Sequence, residues 1–170
     1  MKDLGMDITR DWKHKKLWLS QKKYVEWLLE KFNQKNAKST STTLATHFSL
    51  SKRDCPQSKE KKLSMSWIPY ASVGCSLIYA TICTRLDIFH AIGVVSRFLS
   101  NLAKGHWDTV KWILRRLHGR TKFYLQFDGC KPILKDYIDA NMVGCLDRGK
   151  STRGCVFAFT GGIVSWQSKL

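Results

Sequence analysis

The sequence predicts an α+β fold in which a helical segment is followed by an antiparallel β-sheet. Apolar residues recur at helical spacing between residues 20 and 118, whereas short alternating runs separated by turn residues follow residue 121. The chain has 170 residues, 44% of them hydrophobic, which is enough to bury a core.

The first third of the chain predicts a hairpin, a helix and a linker. Residues 6–20 alternate weakly around a basic tip, DWKHKK, as is typical of a hairpin. Ser20 is suited to cap a helix that continues to Phe32, because apolar residues recur there at helical spacing. Residues 38–66 are rich in Ser, Thr and Lys and lack a helical period, so we expect an extended, solvated linker.

The middle of the chain predicts three helices. Residues 70–100 form two, which meet around residues 84–87. Their expected buried positions are Val73, Leu77, Ile78, Ile82, Ile88, Ile92, Val95 and Leu99. The third helix, HWDTVKWILRRLHG, ends at Gly119. Its expected apolar face consists of Trp107, Val110, Ile113, Leu114 and Leu117.

Five cations lie along the last two of these helices, and we call them the basic edge: Arg97, Lys111, Arg115, Arg116 and Arg120. Two interpretations stay open. The basic edge is either a surface that faces nucleic acid or the solvated side of an amphipathic helix, because no aromatic stacking platform accompanies it.

The tail predicts antiparallel strands. The runs KFYLQF, PILKDYID, RGCVFAFT and IVSWQS are alternating or β-branched and are separated by turn residues. We expect Gly161–Gly162 to form the two-residue turn of the last hairpin.

A P-loop pattern, G-x-x-x-x-G-K-S, is formed by Gly144, Gly149, Lys150 and Ser151. A functional P-loop opens a helix whose N-terminal N–H groups hold the phosphates, but the residues that follow here, TRGCVFAFT, favour a strand. We therefore interpret the match as accidental and expect no nucleotide binding. A P-loop NTPase is kept only as a remote alternative.

The net charge is +16, from 29 basic and 13 acidic residues, and residues 1–127 carry 14 of those charges. Such a surplus favours a polyanionic partner. The six cysteines have no paired Cys/His spacing, which argues against a zinc site. The sequence has no apolar span and no N-terminal signal, so we expect an intracellular protein, in cytoplasm or nucleus, without a membrane partner or a small-molecule substrate.

Six blocks occur along the chain in this order: LWLSQKKYVEWLLEKFNQKNAK, PYASVGCSLIYA, VVSRFLSN, HWDTVKWILRRLHG, PILKDYIDANMVG and VSWQSKL. In them the sequence resembles the Pol polyproteins of copia-type retrotransposons, such as the TNT type of tobacco. The resemblance implies that residues 1–66 form the end of a reverse transcriptase and residues 67–130 a helical thumb and connection. Residues 131–170 would be the first three strands of a ribonuclease H-like sheet.

The resemblance also identifies one catalytic position. The family's Y-T-D-A-D block matches Tyr137 to Asn141, which implies that Asp139 corresponds to a ribonuclease H metal ligand. That enzyme uses about four carboxylates to hold two Mg²⁺ ions, and the polymerase needs a Y-x-D-D pair. The resemblance places all of these except Asp139 beyond the 170 residues, so we expect Asp139 to be vestigial.

These inferences lead to two functional hypotheses. The first is a catalytically inactive Pol fragment without a cofactor, although the parent family uses Mg²⁺. The second is a residual nucleic-acid-binding module without sequence preference, whose partner is an RNA/DNA hybrid or another nucleic acid. The departure of Thr84-Arg85-Leu86-Asp87-Ile88 from the family's T-R-P-D-I block adds to the expectation of a decayed fragment, because a proline has been lost.

Overall fold

The structure is a computed structural model that describes residues 2–3, 5–44, 50–51, 55–99, 101–129, 132–141 and 151–169. Two compact units are present: a sheet unit, Met1–Tyr24 with Lys122–Leu170, and a helical unit, Val25–Thr121. The α+β prediction is confirmed by helices and two antiparallel sheets. The predicted domain boundaries at residues 66 and 130 were drawn from the family resemblance and not from compact units, and they stay a prediction.

The first sheet of the sheet unit has the order β1-β2-β3-β4 and is antiparallel throughout. Its strands are β1 (Lys2–Asp3), β2 (Met6–Asp11), β3 (Lys16–Ser20) and β4 (Tyr124–Asp128). The predicted hairpin is β2–β3. Its partner β4 comes from the far side of the helical unit in sequence, and the Trp18 Nε1–H donates to Gln126 Oε1 at 3.1 Å across that pairing.

The second sheet contains the predicted tail strands in the order β5-β6-β7. They are β5 (Leu134–Asn141), β6 (Thr152–Phe159) and β7 (Gly162–Lys169). The predicted turn at Gly161–Gly162 is wrong by one residue. Thr160 and Gly161 occupy the turn with φ of 49° and 79°, the positive values that a type I′ turn requires, and Gly162 already pairs with Phe159.

Gly162 is also fixed by packing. A Cβ at this position would lie 2.6 Å from the carbonyl oxygen of Gln126 and would overlap the Phe127 ring. In the same region, the Asp128 N–H donates to the Thr160 carbonyl oxygen at 3.0 Å. The start of β7 therefore approaches β4 at a distance that only glycine allows.

The helical unit confirms the predicted pair of helices that meet near residue 84. Its helices are α1 (Lys22–Lys31), α2 (Lys59–Ser66), α3 (Tyr70–Cys83), α4 (Phe89–Val95) and α5 (Lys104–His118). Single 3₁₀ turns, Leu86–Ile88 and Ser96–Phe98, precede and follow α4. The core includes Leu28, Val73, Leu77, Ile88, Val95, Val110, Ile113, Leu114 and Leu117. None of the helices in the described part of the chain is long and apolar enough to cross a bilayer.

Three expectations for this unit are wrong. The solvated linker contains α2, and residues 38–42 receive hydrogen bonds from α5. Ile82 and Leu99 are exposed although the helical period placed them on the buried face. On α5, His106 is fully buried whereas Trp107 is half-buried, because the His106 ring stacks on Phe98 at 4.2 Å and its Nδ1 accepts the Ala103 N–H at 3.0 Å.

Candidate nucleic-acid interface

Asp139 lies on the exposed edge strand β5, directly opposite Gly154 of β6. Every side chain from residue 132 to 139 is exposed, so the carboxylate faces solvent. Asp136 lies three positions away on the same strand, and side chains at that spacing point to opposite faces. Within the described residues, no three His, Cys, Asp or Glu side chains come together in a cluster that could hold a metal ion.

Only part of the P-loop pattern falls within the described residues. Gly144, Gly149 and Lys150 lie outside the described residues. Ser151 is followed at once by β6, so the chain continues from the motif into a strand. A phosphate-binding loop needs helix N–H groups at this point, and β6 cannot supply them.

The basic edge does not act as one surface of five equivalent cations. Arg97 and Arg120 are exposed at the ends of helical segments. The ammonium of Lys111 instead lies 2.6 Å from Asp108 Oδ1, which offsets its charge locally. Two cations of the edge are therefore directly available to a phosphate, and a third is paired.

Arg115 and Arg116 contact the chain itself. The Arg115 Nε–H donates to the Lys38 carbonyl oxygen at 2.6 Å, and Arg116 Nη1 donates to the Ser41 carbonyl oxygen. One turn earlier on α5, the Trp112 Nε1–H donates to the Thr42 carbonyl oxygen at 3.1 Å. One side of α5 thus holds residues 38–42, which gives these two arginines a structural role that helical spacing alone does not reveal.

A second basic surface lies on the β2–β3 hairpin, and we call residues 10–16 the hairpin tip. The Trp12 side chain is 80% exposed and the Arg10 guanidinium lies 5.6 Å from its ring centroid. Asp11 accepts the His14 N–H at 3.0 Å, and its other carboxylate oxygen lies 2.7 Å from His14 Nδ1. These hydrogen bonds from His14 hold the pKa of Asp11 below its usual value.

The ancestry of the chain follows from its similarity to known proteins. It is 57% identical over 167 residues, 98% of its length, to the retrovirus-related Pol polyprotein from transposon TNT 1-94 of Nicotiana tabacum. It is 30% identical over 157 residues to the corresponding polyprotein from transposon RE2 of Arabidopsis thaliana. The chain belongs to the retrotransposon Pol polyprotein family.

The chain spans a small part of those Pol polyproteins, 13% of the first and 10% of the second. It is also 36% identical over 106 residues to secreted RxLR effector protein 161 of Plasmopara viticola, and the match covers 75% of that protein. No protein-family profile matches the chain, and no solved structure matches it.

Arg85 lies in the block that matches the family's T-R-P-D-I pattern and is buried in the helical unit. The sequence alone did not indicate a role for it. Its side chain is 1% exposed and forms a two-pronged ion pair with Asp87, at 2.9 Å from Nε to Oδ1 and 2.8 Å from Nη2 to Oδ2. Its Nη1 donates to the Arg120 carbonyl oxygen at 2.6 Å. Leu86 begins the 3₁₀ turn that contains Asp87, so the corner forms without the proline of the Pol block.

Proposed function

We propose that the chain is a non-catalytic segment of a retrotransposon Pol polyprotein that retains sequence-independent binding of nucleic acid. In this proposal it comprises the end of the reverse transcriptase, a helical thumb and connection, and the first strands of a ribonuclease H-like sheet. The observation that carries it is the combination of Asp139, an exposed carboxylate that belongs to no metal-binding cluster in the part of the chain that the structure describes, with a net charge of +16.

We infer the absence of ribonuclease H turnover from the positions of the carboxylates that would bind metal ions. Two-metal cleavage needs several carboxylates that converge on ions about 4 Å apart. Asp136 cannot join Asp139 because the two side chains leave β5 on opposite faces. In the helical unit, Asp87 pairs with Arg85 and Asp108 pairs with Lys111. Among the described residues Asp139 joins no cluster of three metal-ligating side chains, and a single carboxylate binds a divalent ion too weakly to organise a scissile phosphate.

The catalytic part of the proposal is tested with a labelled RNA/DNA hybrid and Mg²⁺ or Mn²⁺. We expect wild type and Asp139→Asn to give the same background level of cleavage, because one carboxylate does not position two ions. Heat-denatured protein sets the background. Cleavage by the wild type that disappears in Asp139→Asn would overturn this part.

The binding part rests on electrostatics. Counterion release from the phosphate backbone makes such binding steeply salt-dependent and indifferent to sequence. Arg97 and Arg120 are the exposed members of the basic edge and the ones that we expect to meet phosphates. Arg115 and Arg116 contribute to the local field while they hold residues 38–42.

We expect binding to a hybrid, measured by fluorescence anisotropy, to weaken by roughly 10²–10³-fold between about 50 and 200 mM salt, as for about five phosphate contacts. Arg97→Ala and Arg120→Ala should each lower the salt slope by about one. Lys35→Ala is the matched control, because Lys35 is an exposed cation that lies 3.6 Å from Glu30. If no binding is measurable at low salt, the binding part of the proposal is wrong and only the non-catalytic Pol segment remains.

A further inference from the structure

The hairpin tip combines an exposed aromatic ring with cations. Trp12 is flanked by Lys13, His14 and Lys15, all exposed, and by Arg10 on its ring face. Residues 10–16 carry four cations and one carboxylate. The exposed Trp67, at the end of α2, is as accessible at 83% but follows Ser64, Met65 and Ser66. The tip thus offers both a stacking surface and phosphate-binding charges.

The tip is held in one shape before any ligand arrives. The two contacts between Asp11 and His14 close the turn, and Lys15 adopts a left-handed backbone with φ of 52°. Gly129, just after β4, supports the turn from one side, since a Cβ there would lie 2.9 Å from the Lys15 carbonyl oxygen. Preorganisation of this kind lowers the entropic cost of binding.

A cleft of about 270 Å³ lies beside the indole. Its lining residues are Arg10, Asp11, Trp12, Lys15, Lys16 and Leu17. The cleft therefore pairs an aromatic wall with three cations, which matches the chemistry of a base attached to a phosphate chain. A lipid surface fits less well, because the indole would have to insert alone while the charged Lys13 and Lys15 beside it were buried in apolar lipid.

We propose that the hairpin tip is a base-stacking site for single-stranded nucleic acid. The Trp12 indole stacks on one base, and Lys13, Lys15 and Lys16 contact the adjoining phosphates. Bases within a duplex are already stacked on each other and do not offer a free face, so the site distinguishes single strands from duplexes. This inference rests on the proposed nucleic-acid binding but assigns it to residues that belong to the sheet unit rather than to the basic edge.

The test compares two tryptophan variants in the full chain. A fluorescein-labelled thymidine 12-mer and a duplex of the same length serve as probes in anisotropy titrations at about 50 mM salt. We expect Trp12→Ala to weaken single-strand binding by about tenfold or more and to leave duplex binding unchanged, with Trp12→Phe in between. Trp67→Ala, the loss of an equally exposed ring, should have no effect, and circular dichroism should show that both variants are folded.

A charge readout separates the two components of the site. Replacing Lys13, Lys15 and Lys16 by glutamine should reduce the salt slope on the single-stranded 12-mer by about 0.7 for each lysine, whereas Trp12→Ala should leave the slope unchanged. If wild type binds the 12-mer and Trp12→Ala binds it equally well, the tip assignment is overturned while the proposed function stands. If wild type binds neither probe, both fail. Trp12-dependent binding to phosphatidylserine vesicles without oligonucleotide binding would overturn the tip assignment in favour of a membrane.

Discussion

Replacing Arg85 by methionine is expected to destabilise the helical unit by about 3–5 kcal/mol, enough to unfold much of it at 37 °C. Methionine keeps most of the apolar stem but removes every hydrogen bond of the guanidinium. Asp87 then keeps its charge in a largely buried position without the cation that now pairs with it. The Arg120 carbonyl oxygen loses its donor as well.

This prediction is checked by urea unfolding followed by circular dichroism at the helical band. Arg97→Met is the matched control, because Arg97 is exposed and its replacement should change the free energy of unfolding by less than about 0.5 kcal/mol. Equal midpoints for the two variants would contradict a structural role for the ion pair. Arg85→Met combined with Asp87→Leu should be more stable than Arg85→Met alone, since the second change removes the stranded carboxylate.

Local periodicity predicted much of the fold because it acts within a few residues. The helices α3 and α5 and the strands β5, β6 and β7 all follow from spacing along the chain. The β3–β4 pairing was not predicted, because the register that places Leu19 opposite Leu125 has no signature in either strand. α2 was missed for a related reason: its sequence, KEKKLSMS, is polar and has little helical period.

The buried polar residues were also not predicted from the sequence. Arg85 and His106 are buried because each has specific partners, the Asp87 carboxylate and the Arg120 carbonyl oxygen for Arg85 and the Phe98 ring for His106, and a hydrophobic period does not reveal such contacts. The same applies to the basic edge. Helical spacing placed Arg115 on the polar side of α5 correctly, but it could not show that the Lys38 carbonyl oxygen accepts its hydrogen bond.

The residues of the candidate site differed in how far the sequence indicated them. Asp139 could be named only through the family's Y-T-D-A-D block, because an exposed aspartate on a strand has no distinguishing pattern of its own. The hairpin tip was visible as the basic run DWKHKK, but its chemistry was not. That Trp12 points outward rather than into the sheet depends on the turn that Asp11 and His14 close.

The second large effect is expected for substitutions on the two faces of α3, which differ in burial. Leu77 and Ile82 were both expected on the buried face, yet Leu77 is fully buried and Ile82 is 66% exposed. Periodicity assigns a direction around the helix axis, whereas burial also depends on which neighbours cover each turn. α3 packs against α4 and α5, and the side that they cover also buries Ala80 and Thr81 in the last turn. Ile82 lies about 140° around the helix axis from Leu77 and therefore on the uncovered side.

Leu77→Ala should therefore lower the free energy of unfolding by about 2–5 kcal/mol, through lost burial and the cavity left behind. Ile82→Ala removes a side chain of the same size from the same helix and should cost less than about 0.5 kcal/mol, because solvent already surrounds it. Urea unfolding of both variants measures the difference, with unchanged m-values as the sign that the denatured state is unaffected. Similar losses for the two variants would mean that a partner covers Ile82 in solution, and the exposed side of α3 at Ile82 would then be an interface.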